Sequence, residues 1–330
     1  MADVVLSGLT KSFGATRALS DMTMTIADGA FVVLLGPTGA GKTTTLRLIA
    51  GLDRPDAGDI HIDGRSVLSD TPAQRDVAMV FQQYSLYPHL TVRENLAFPL
   101  RSPVLNWSEP DIARKIGEVA EVLRISHKLD NKATQLSGGE MQRVSIGRAL
   151  VRNPRIYLMD EPLSSLDAKL RADLRIELKR IHAELGATFL YVTHDQIEAM
   201  TMASHVGVLD QGRLVQFGTP REIYENPVST YVASRLGQPR INLLPAGAFP
   251  PVKSGAAQIG LRPEHVRLGE GRPAIVRRLE RLGDQTRLHI VMDGHDIVTL
   301  ADPHTTLAPG DAVSIRPETP LWFDASGNRI

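Results

Sequence analysis

Phe31-Val-Val-Leu-Leu-Gly-Pro-Thr-Gly-Ala-Gly-Lys-Thr43 joins an apolar run of strand length to a glycine-rich loop. The loop has the spacing G-x-x-x-x-G-K-[ST], and a helical run over residues 44–50 follows it directly. In such a strand, loop and helix, backbone N–H groups converge on phosphate oxygens at the helix N-terminus. The stretch therefore predicts an α/β domain that binds ATP.

The charged and hydroxylated residues of this loop have separate predicted roles. Lys42 supplies a point charge to the outer phosphates, and the hydroxyl of Thr43 is a predicted Mg²⁺ ligand. The predicted nucleotide contacts of the loop are Gly36, Pro37, Thr38, Gly39, Ala40, Gly41, Lys42, Thr43 and Thr44.

A pair of acids ends another apolar run, in Met159-Asp160-Glu161-Pro162. Consecutive residues at a strand end point in different directions, so we expect the two acids to have different tasks. We expect Asp160 to ligate Mg²⁺ or its water, and Glu161 to orient and deprotonate the attacking water.

The segment Leu136-Ser137-Gly138-Gly139-Glu140 predicts a second anion contact. Ser137 and Glu140 form a capping box at a helix N-terminus. Two glycines in the first turn cost about 1 kcal/mol each in helix stability, but they leave bare N–H groups open to an anion.

Unbroken apolar runs alternate with helical segments through the first two thirds of the chain. Such runs are typical of strands covered on both faces, so we predict a mostly parallel sheet. The runs are residues 31–35, 77–81, 156–159, 189–192 and 206–209.

Between residues 91 and 150 the pattern changes to helices opened by Ser or Thr with an acid three positions later. This predicts a helical subdomain over about residues 88–152. Asp167 is expected to cap a long helix that ends at Gly186.

The tail has a different pattern. A helix opened near Thr219 is expected to end near Leu236, and short alternating runs follow, with Asp293-Gly294 as a hairpin turn. We predict a nucleotide-binding domain over residues 1–235 and a small all-β barrel or sandwich over 236–330.

Composition excludes several classes of protein. The 37 basic and 37 acidic residues cancel, which argues against a polyanion partner, and the absence of cysteine removes disulfide scaffolds and thiolate metal sites. No apolar run approaches the roughly 18 to 20 residues that span a bilayer, and the amino terminus does not fit a secretory signal. We expect a chain that is not exported and reaches a membrane only through a partner.

Taken together, the motifs resemble those of ATP-binding cassette (ABC) proteins over residues 4 to about 235. The phosphate loop, Gln82, LSGGE, YLMDEP, the SSLD stretch at residues 164–167 and His194 in YVTHDQ occur in that family's order and spacing. The chain is similar to the ATPase subunits of ABC transporters, although Glu140 stands where the family often has Gln.

The resemblance implies a site shared by two copies in a head-to-tail homodimer. In that family the signature helix of one subunit closes over ATP held by the phosphate loop of the other, so Ser137 and Gly139 would act in trans. His194 would contact the γ-phosphate, Asp167 would couple the two sites, and Phe13 would stack on adenine.

Gln82 is implied to sense Mg²⁺ and the attached permease. The expected catalytic residues are Glu161, His194, Gln82 and Lys42. The expected metal ligands are Thr43, Gln82 and Asp160. The expected nucleotide contacts outside the loop are Phe13, Gln82, Ser137, Gly138, Gly139, Glu140, Asp160, Asp167 and His194.

Two further segments resemble maltose-type carbohydrate importers. These are residues 86–95, LYPHLTVREN, and residues 259–265, IGLRPEH, a motif of their carboxy-terminal OB-like regulatory barrel. The resemblance implies an ATPase that powers uptake of a sugar, polyol or sugar/glycerol-phosphate-like solute. It would lie peripherally at the cytoplasmic face of the inner membrane, with two transmembrane permease subunits and, indirectly, an extracytoplasmic solute-binding protein as partners.

Other functions remain open at this point. Related barrels accompany polyamine, iron and oxyanion importers, and an OB-type barrel also suits a non-transport ABC ATPase that acts on nucleic acid. Residues 236–330 hold 11 Lys/Arg, 10 Asp/Glu and as aromatics only Phe249, Trp322 and Phe323, a poor stacking platform. We therefore expect no nucleic-acid partner. An exporter ATPase would more often be fused to a membrane domain or lack the barrel.

Overall fold

Strands and helices alternate in the first part of the chain, and strands dominate the rest. The computed structural model describes residues 2–102 and 107–330. Its strands are β1 (Val4–Phe13), β2 (Thr16–Ile26), β3 (Phe31–Leu35), β4 (Ala57–Ile62), β5 (Arg65–Ser66), β6 (Val77–Val80), β7 (Ile156–Asp160), β8 (Thr188–Thr193), β9 (His205–Asp210), β10 (Arg213–Gly218), β11 (Asn242–Pro245), β12 (Gln258–Leu261), β13 (Val266–Arg281), β14 (Thr286–Met292), β15 (His295–Ala301), β16 (Ala312–Pro317) and β17 (Leu321–Phe323). Its α-helices are α1 (Lys42–Ile49), α2 (Val92–Ala97), α3 (Glu109–Val122), α4 (Gly138–Leu150), α5 (Ala168–Leu185), α6 (Gln196–Met202), α7 (Pro220–Glu225) and α8 (Thr230–Arg235).

The predicted parallel sheet is confirmed. Its strand order is β10-β9-β3-β8-β7-β6, and all neighbours are parallel except β10, which pairs antiparallel with β9. Every residue of β3, β7 and β8 is buried. Burial on both faces explains why these strands are continuous apolar runs.

A second, antiparallel sheet was not predicted. Its order is β2-β1-β4-β5, and register shifts interrupt the pairing of β1 with both β2 and β4. Leu6 and Ile60 of this sheet share one core with Leu46 of α1 and Leu34 of β3. The helix that follows the phosphate loop is thus held in a core formed by both sheets.

The helical region has the predicted caps. The side chains of Thr91, Ser108 and Ser137 each accept a hydrogen bond from the backbone N–H three residues later. Asp167 caps α5 in the same way, and Gly186 ends that helix in the left-handed conformation. Residues 103–106 of the predicted subdomain lie outside the described residues.

The structure divides the chain after Pro220, earlier than the expected boundary at residue 235. The expected single helix is two short helices, α7 and α8, because Pro227 lacks the N–H that an uninterrupted helix would need. Both helices belong mainly to the second unit, where Ala233 packs with Ile241 and Phe323 and its carbonyl accepts a hydrogen bond from Arg262.

The second unit is built on antiparallel sheets, as predicted. Their orders are β11-β12-β17 and β15-β14-β13-β16. Asp293 and Gly294 join β14 to β15 with φ values of 50° and 79°. The predicted hairpin is confirmed, and positive φ at both central residues identifies its turn as type I′.

Candidate active site

Four of the predicted site segments lie at one edge of the parallel sheet. The phosphate loop follows β3, Asp160 ends β7, His194 follows β8 and Gln82 comes two residues after β6. These strands are parallel neighbours in the order β3-β8-β7-β6, so their carboxyl ends share an edge. Ligands of open α/β sheets bind at that edge.

The phosphate loop keeps a tight conformation that depends on glycine. Gly41 has φ 99°, and a Cβ added there would lie 2.6 Å from the carbonyl oxygen of Ala18. The Nζ atom of Lys42 donates hydrogen bonds to the carbonyl oxygens of Gly36, at 2.9 Å, and Pro37, at 3.0 Å. The buried ammonium is therefore held by the loop itself, at the place where phosphate oxygens are expected.

Thr43 and Asp160, the two loop and strand-end residues predicted to ligate Mg²⁺, contact each other directly. The Thr43 hydroxyl donates to Oδ1 of Asp160 at 2.9 Å. Asp160 is 6% exposed, and this burial raises the pKa of its carboxyl group above the usual range, while the bond from Thr43 opposes the rise. Within residues 2–102 and 107–330 no cluster of three or more His, Cys, Asp or Glu side chains is arranged to hold a metal.

Glu161 turns away from Asp160 and joins a different cluster. Its Oε1 lies 3.3 Å from Nζ of Lys42, and its Oε2 lies 2.9 Å from Nδ1 of His194. The turn arises because Glu161 has φ 42° and its backbone N–H donates to the carbonyl of Val192 on β8. The adjacent acids therefore have separate surroundings, which agrees with the separate tasks inferred from the sequence.

The segment over residues 137–140 is not part of this cluster. The side chain of Ser137 caps α4, and the Glu140 carboxylate accepts hydrogen bonds from the Ser137 N–H at 2.8 Å and hydroxyl at 2.9 Å. Ser137 is exposed, and a Cβ on the buried Gly139 would meet the Leu170 side chain at 2.2 Å. Among the described residues, no hydrogen bond joins this segment to the phosphate loop of its own copy.

The remaining predicted residues lie around the edge. Gln82 is exposed in the turn after β6, and Phe13 is 49% exposed at the end of β1, with Nζ of Lys11 5.3 Å from its ring centroid. Asp167 accepts a hydrogen bond from the Leu170 N–H at 3.0 Å. Phe13 lies in the hairpin that joins β1 to β2. In β2 of the same hairpin, the backbone of Ala18 lies against Gly41 of the phosphate loop.

Sequence reasoning missed Arg171 and Tyr84. Arg171 donates to the carbonyl of Leu166 at 2.9 Å and more weakly to two preceding carbonyls, so it holds the loop between Glu161 and Asp167. The Tyr84 hydroxyl lies 3.1 Å from Oγ of Ser165 and links the turn after Gln82 to the same loop. The Tyr84 contact joins residues 81 positions apart, and the Arg171 bonds depend on how the loop folds back on α5, so the motif spacing gave no signal for either residue.

Comparisons with known proteins agree with this geometry. The family model described as ABC transporter matches residues 19–164, and the TOBE domain model matches residues 259–320. The sn-glycerol-3-phosphate import ATP-binding protein UgpC of Ruegeria sp. (strain TM1040) is 44% identical, covering 100% of this chain and 99% of that protein. The UgpC protein of Paracoccus denitrificans (strain Pd 1222) is 42% identical, with 100% and 99% covered.

Solved structures show the same architecture. A dimeric bacterial ABC transporter cassette matches with a TM-score of 0.60 at 31% identity, covering 66% of this chain and 99% of that one. A dimeric post-hydrolysis state of such a cassette, bound to ADP and Pi, matches with a TM-score of 0.59 at 32% identity over the same shares.

The fold class inferred from the sequence is thus confirmed: an α/β P-loop ATPase domain with a helical subdomain, followed by an all-β domain consistent with an OB-like barrel. The chain is similar over its full length to import ATP-binding proteins. The contacts of Asp160 with Thr43 and of Glu161 with Lys42 at the phosphate loop agree with that assignment. The chain belongs to the ABC transporter family of ATP-binding proteins and is an ATPase.

Proposed function

We propose that this chain is the ATP-hydrolysing subunit of an importer for sn-glycerol 3-phosphate or a related sugar or polyol solute. The proposal is supported by UgpC relatives from several bacteria that match over nearly their whole length. It places the subunit peripherally at the cytoplasmic face of the inner membrane, bound to two permease subunits. An extracytoplasmic solute-binding protein would deliver the solute to those permeases.

The cluster around Glu161 supports the hydrolytic role. Glu161 lies between the Lys42 ammonium and the His194 ring, at 3.3 Å and 2.9 Å. In the proposed reaction its carboxylate orients a water molecule and accepts a proton from it. Lys42 balances charge on the outer phosphates, and His194 contacts the γ-phosphate.

The donor set fits Mg²⁺. Thr43 and Asp160 offer a hydroxyl and a carboxylate oxygen 2.9 Å apart, and Mg²⁺ is commonly bound through one or two such protein oxygens together with substrate phosphates and waters. Asp160 and Thr43 would hold the ion. Gln82, in the turn after β6, is the third proposed ligand. When bound, the ion neutralises negative charge that develops on the phosphates.

A head-to-tail homodimer completes the proposed site. Ser137 is exposed, and no hydrogen bond among the described residues joins residues 137–140 to the phosphate loop of the same copy, which supports a contact with the ATP of a partner. Ser137 and Gly139 would then act in trans, Asp167 would couple the two sites and Phe13 would stack on adenine. The nucleotide-binding role stays with the unit up to Pro220, and a regulatory role with the β domain.

Uptake of a polyamine, iron or oxyanion is the alternative within transport. The transport coupling itself is tested by reconstitution with the permeases and solute-binding protein in vesicles. We expect sn-glycerol 3-phosphate on the binding protein to stimulate ATP hydrolysis and glycerol to leave it at the basal rate. If only a polyamine, iron or an inorganic oxyanion stimulates hydrolysis, the proposed solute is wrong, while the assignment as a transport ATPase stands.

The role of Glu161 is tested in the same vesicles. Glu161→Gln removes the proton acceptor but keeps the shape of the side chain, so turnover should fall by a factor of about 10² to 10⁴ while ATP binding persists. Glu118→Gln, on the exposed side of α3, serves as the matched control. Near-normal turnover in Glu161→Gln would remove Glu161 from the mechanism.

A further inference from the structure

A cavity of about 440 Å³ lies within the second unit, apart from every residue predicted to contact ATP. It is bounded by Tyr224 of α7, the segment that carries Arg262 and His265, the turn at Thr319 and the carboxy-terminal Arg329. A volume in this range is typical of a small-molecule site. The charges on its walls indicate what it would hold.

Arg262 is a buried cation on this wall. It is 2% exposed, and its guanidinium Cζ lies 3.9 Å from the centroid of the Tyr224 ring. Nη1 donates to the carbonyl oxygens of Ala233, at 3.0 Å, and Leu236, and Nη2 donates to that of Tyr224, at 2.9 Å. Its Nε has no hydrogen-bond partner, and burial lowers the pKa of the guanidinium. Nearby carbonyl oxygens therefore satisfy only part of this donor set.

Arg329 adds a second guanidinium to the same cavity. Its Nη1 donates to the carbonyl oxygen of Glu225 at 2.9 Å and to Oδ1 of Asn226 at 3.3 Å. Within the part of the chain that the structure describes, neither Arg329 nor Arg262 has a carboxylate within 4.0 Å. A charged side chain in a partly buried wall is stabilised when an opposite charge approaches it.

The acids near the cavity are already engaged. The Glu264 carboxylate accepts a hydrogen bond from the Tyr224 hydroxyl, and Glu225 is ion-paired with Arg221 at 2.8 Å. These contacts reduce, without removing, the negative potential that the two acids contribute. Two positive charges on the wall thus remain without a direct carboxylate partner.

Thr319 supplies a neutral polar group at the edge of the cavity. Its hydroxyl lies 2.9 Å from Nδ1 of His265, and its backbone has φ 44°. The left-handed region is costly for a β-branched residue, and such strain is concentrated at ligand sites and switch regions. The observation adds a hydroxyl and an imidazole that can orient the polar part of a ligand.

We propose that this cavity binds a small phosphate monoester, with the phosphate group between Arg262 and Arg329. Two guanidinium groups match the charge of a dianionic phosphate, and their planar forks suit its oxygens. The volume leaves room for a short organic group beside the phosphate. Free inorganic phosphate offers the same chemistry, and the binding measurement separates the two sources.

Calorimetric titration of the full-length protein tests the site while saturating Mg-ADP fills the nucleotide site. The probes are sn-glycerol 3-phosphate, inorganic phosphate and glycerol. We expect glycerol 3-phosphate to bind and glycerol to give no heat of binding. Equal affinity for inorganic phosphate would assign the site to the free ion. Absence of binding by both phosphates up to about 10 mM would overturn the proposal.

Variants locate any binding that is observed. Arg329→Gln should raise the dissociation constant at least about tenfold, since it removes one charge-assisted contact from an otherwise intact wall. Arg277→Gln is the matched control, because Arg277 is an exposed arginine of the same unit that pairs with Asp296 at 3.1 Å. Unchanged affinity in Arg329→Gln, or equal losses in both variants, would refute the assignment.

Two more variants test whether the guanidinium of Arg262 takes part in binding and whether the ligand occupies the nucleotide site instead. Arg262→Lys keeps a charge at the buried wall but loses the planar fork, so it should also weaken binding if the chain folds. With the Mg-ADP concentration raised to saturate this variant, Lys42→Ala should leave the affinity for sn-glycerol 3-phosphate unchanged, because Lys42 lies in the phosphate loop and not in this cavity. Loss of binding in Lys42→Ala alone would place the phosphate in the nucleotide site and sink the proposal.

Discussion

Lys42 connects the loop and the hydrolytic cluster at the scale of single residues. Its ammonium contacts two loop carbonyls and lies 3.3 Å from the Glu161 carboxylate. An arriving phosphate must therefore compete with contacts that the side chain already makes. The loop holds its cation in place before the nucleotide arrives.

Removal of this cation should weaken nucleotide binding. Lys42→Ala loses a charge-assisted contact to phosphate, and we expect the dissociation constant for ATP to rise at least about tenfold. Equilibrium titration with a fluorescent ATP analogue measures it, with Lys115→Ala on α3 as the control. Unchanged affinity in Lys42→Ala would show that this loop is not the phosphate site.

At the residue scale the sequence predicted the positions of the motif residues but not all of their contacts. The sequence identified the loop from Gly36 to Thr43 and the strand that ends in Asp160, and the structure brings both segments to one sheet edge. The pairing of Lys42 with Glu161 depends on the turn at φ 42°, and the support from Arg171 depends on the fold of the following loop. Neither is encoded in a local pattern.

Helix caps make a sharper test at the scale of elements, because Ser137 and Ser108 open two helices with the same local geometry. Each Ser→Ala substitution should lower the free energy of unfolding by about 1 kcal/mol. Only Ser137→Ala should also reduce ATP turnover, by about tenfold, through a lost phosphate contact in the dimer. Denaturant titration and turnover assays measure the two effects. Equal turnover in both variants would show that Ser137 only caps its helix and makes no contact with phosphate.

The contact between β8 and α6 makes stability depend on pH. Burial raises the pKa of Glu198, whose carboxylate accepts a hydrogen bond from the Tyr191 hydroxyl at 2.8 Å. A pKa that is higher in the folded state gives stability at low pH that is lost as the pH rises through the folded-state value.

Glu198→Gln removes this titration while retaining an acceptor for Tyr191. We expect the variant to match the wild type at acid pH and to be the more stable protein at neutral pH. Thermal unfolding across the pH range measures the difference, with Glu184→Gln at an exposed site of α5 as the control. A difference that does not change with pH would contradict the raised pKa.

Element prediction from the sequence succeeded where burial is two-sided. Runs such as Phe31–Leu35 are apolar throughout because both faces of β3 are covered. The antiparallel sheet of β1, β2 and β4 was missed because its strands alternate polar and apolar residues and carry register shifts. β1 and β2 are 10 and 11 residues long, and the alternation over residues 20–26 of β2 is a strand signal that a search for continuous apolar runs does not detect.

The division after Pro220 has a consequence for the whole molecule. A chain that ends at residue 220 keeps the parallel sheet, the phosphate loop and the acids, so it should bind ATP with wild-type affinity. A chain that ends at residue 236 also keeps α8 but loses Ile241, Leu321 and Phe323, with which the buried Ala233 packs.

The longer fragment should therefore aggregate more than the shorter one, because it exposes apolar surface that the second unit normally covers. Light scattering and nucleotide titration on the two fragments, beside the full-length protein, measure both expectations. Aggregation of only the shorter fragment would favour the predicted boundary near residue 235.

At Glu161 the backbone conformation lowers folding stability, while the side chain is needed for turnover. The conformation of Glu161, with φ 42°, is energetically unfavourable for glutamate, whereas asparagine adopts it at lower cost. Glu161→Asn should therefore unfold at a higher temperature than Glu161→Gln, although both lack the carboxylate; equal midpoints would show that the backbone is unstrained. On this view the wild-type chain tolerates a locally less stable turn in exchange for its proton acceptor, as expected of a protein selected for activity rather than for maximal stability.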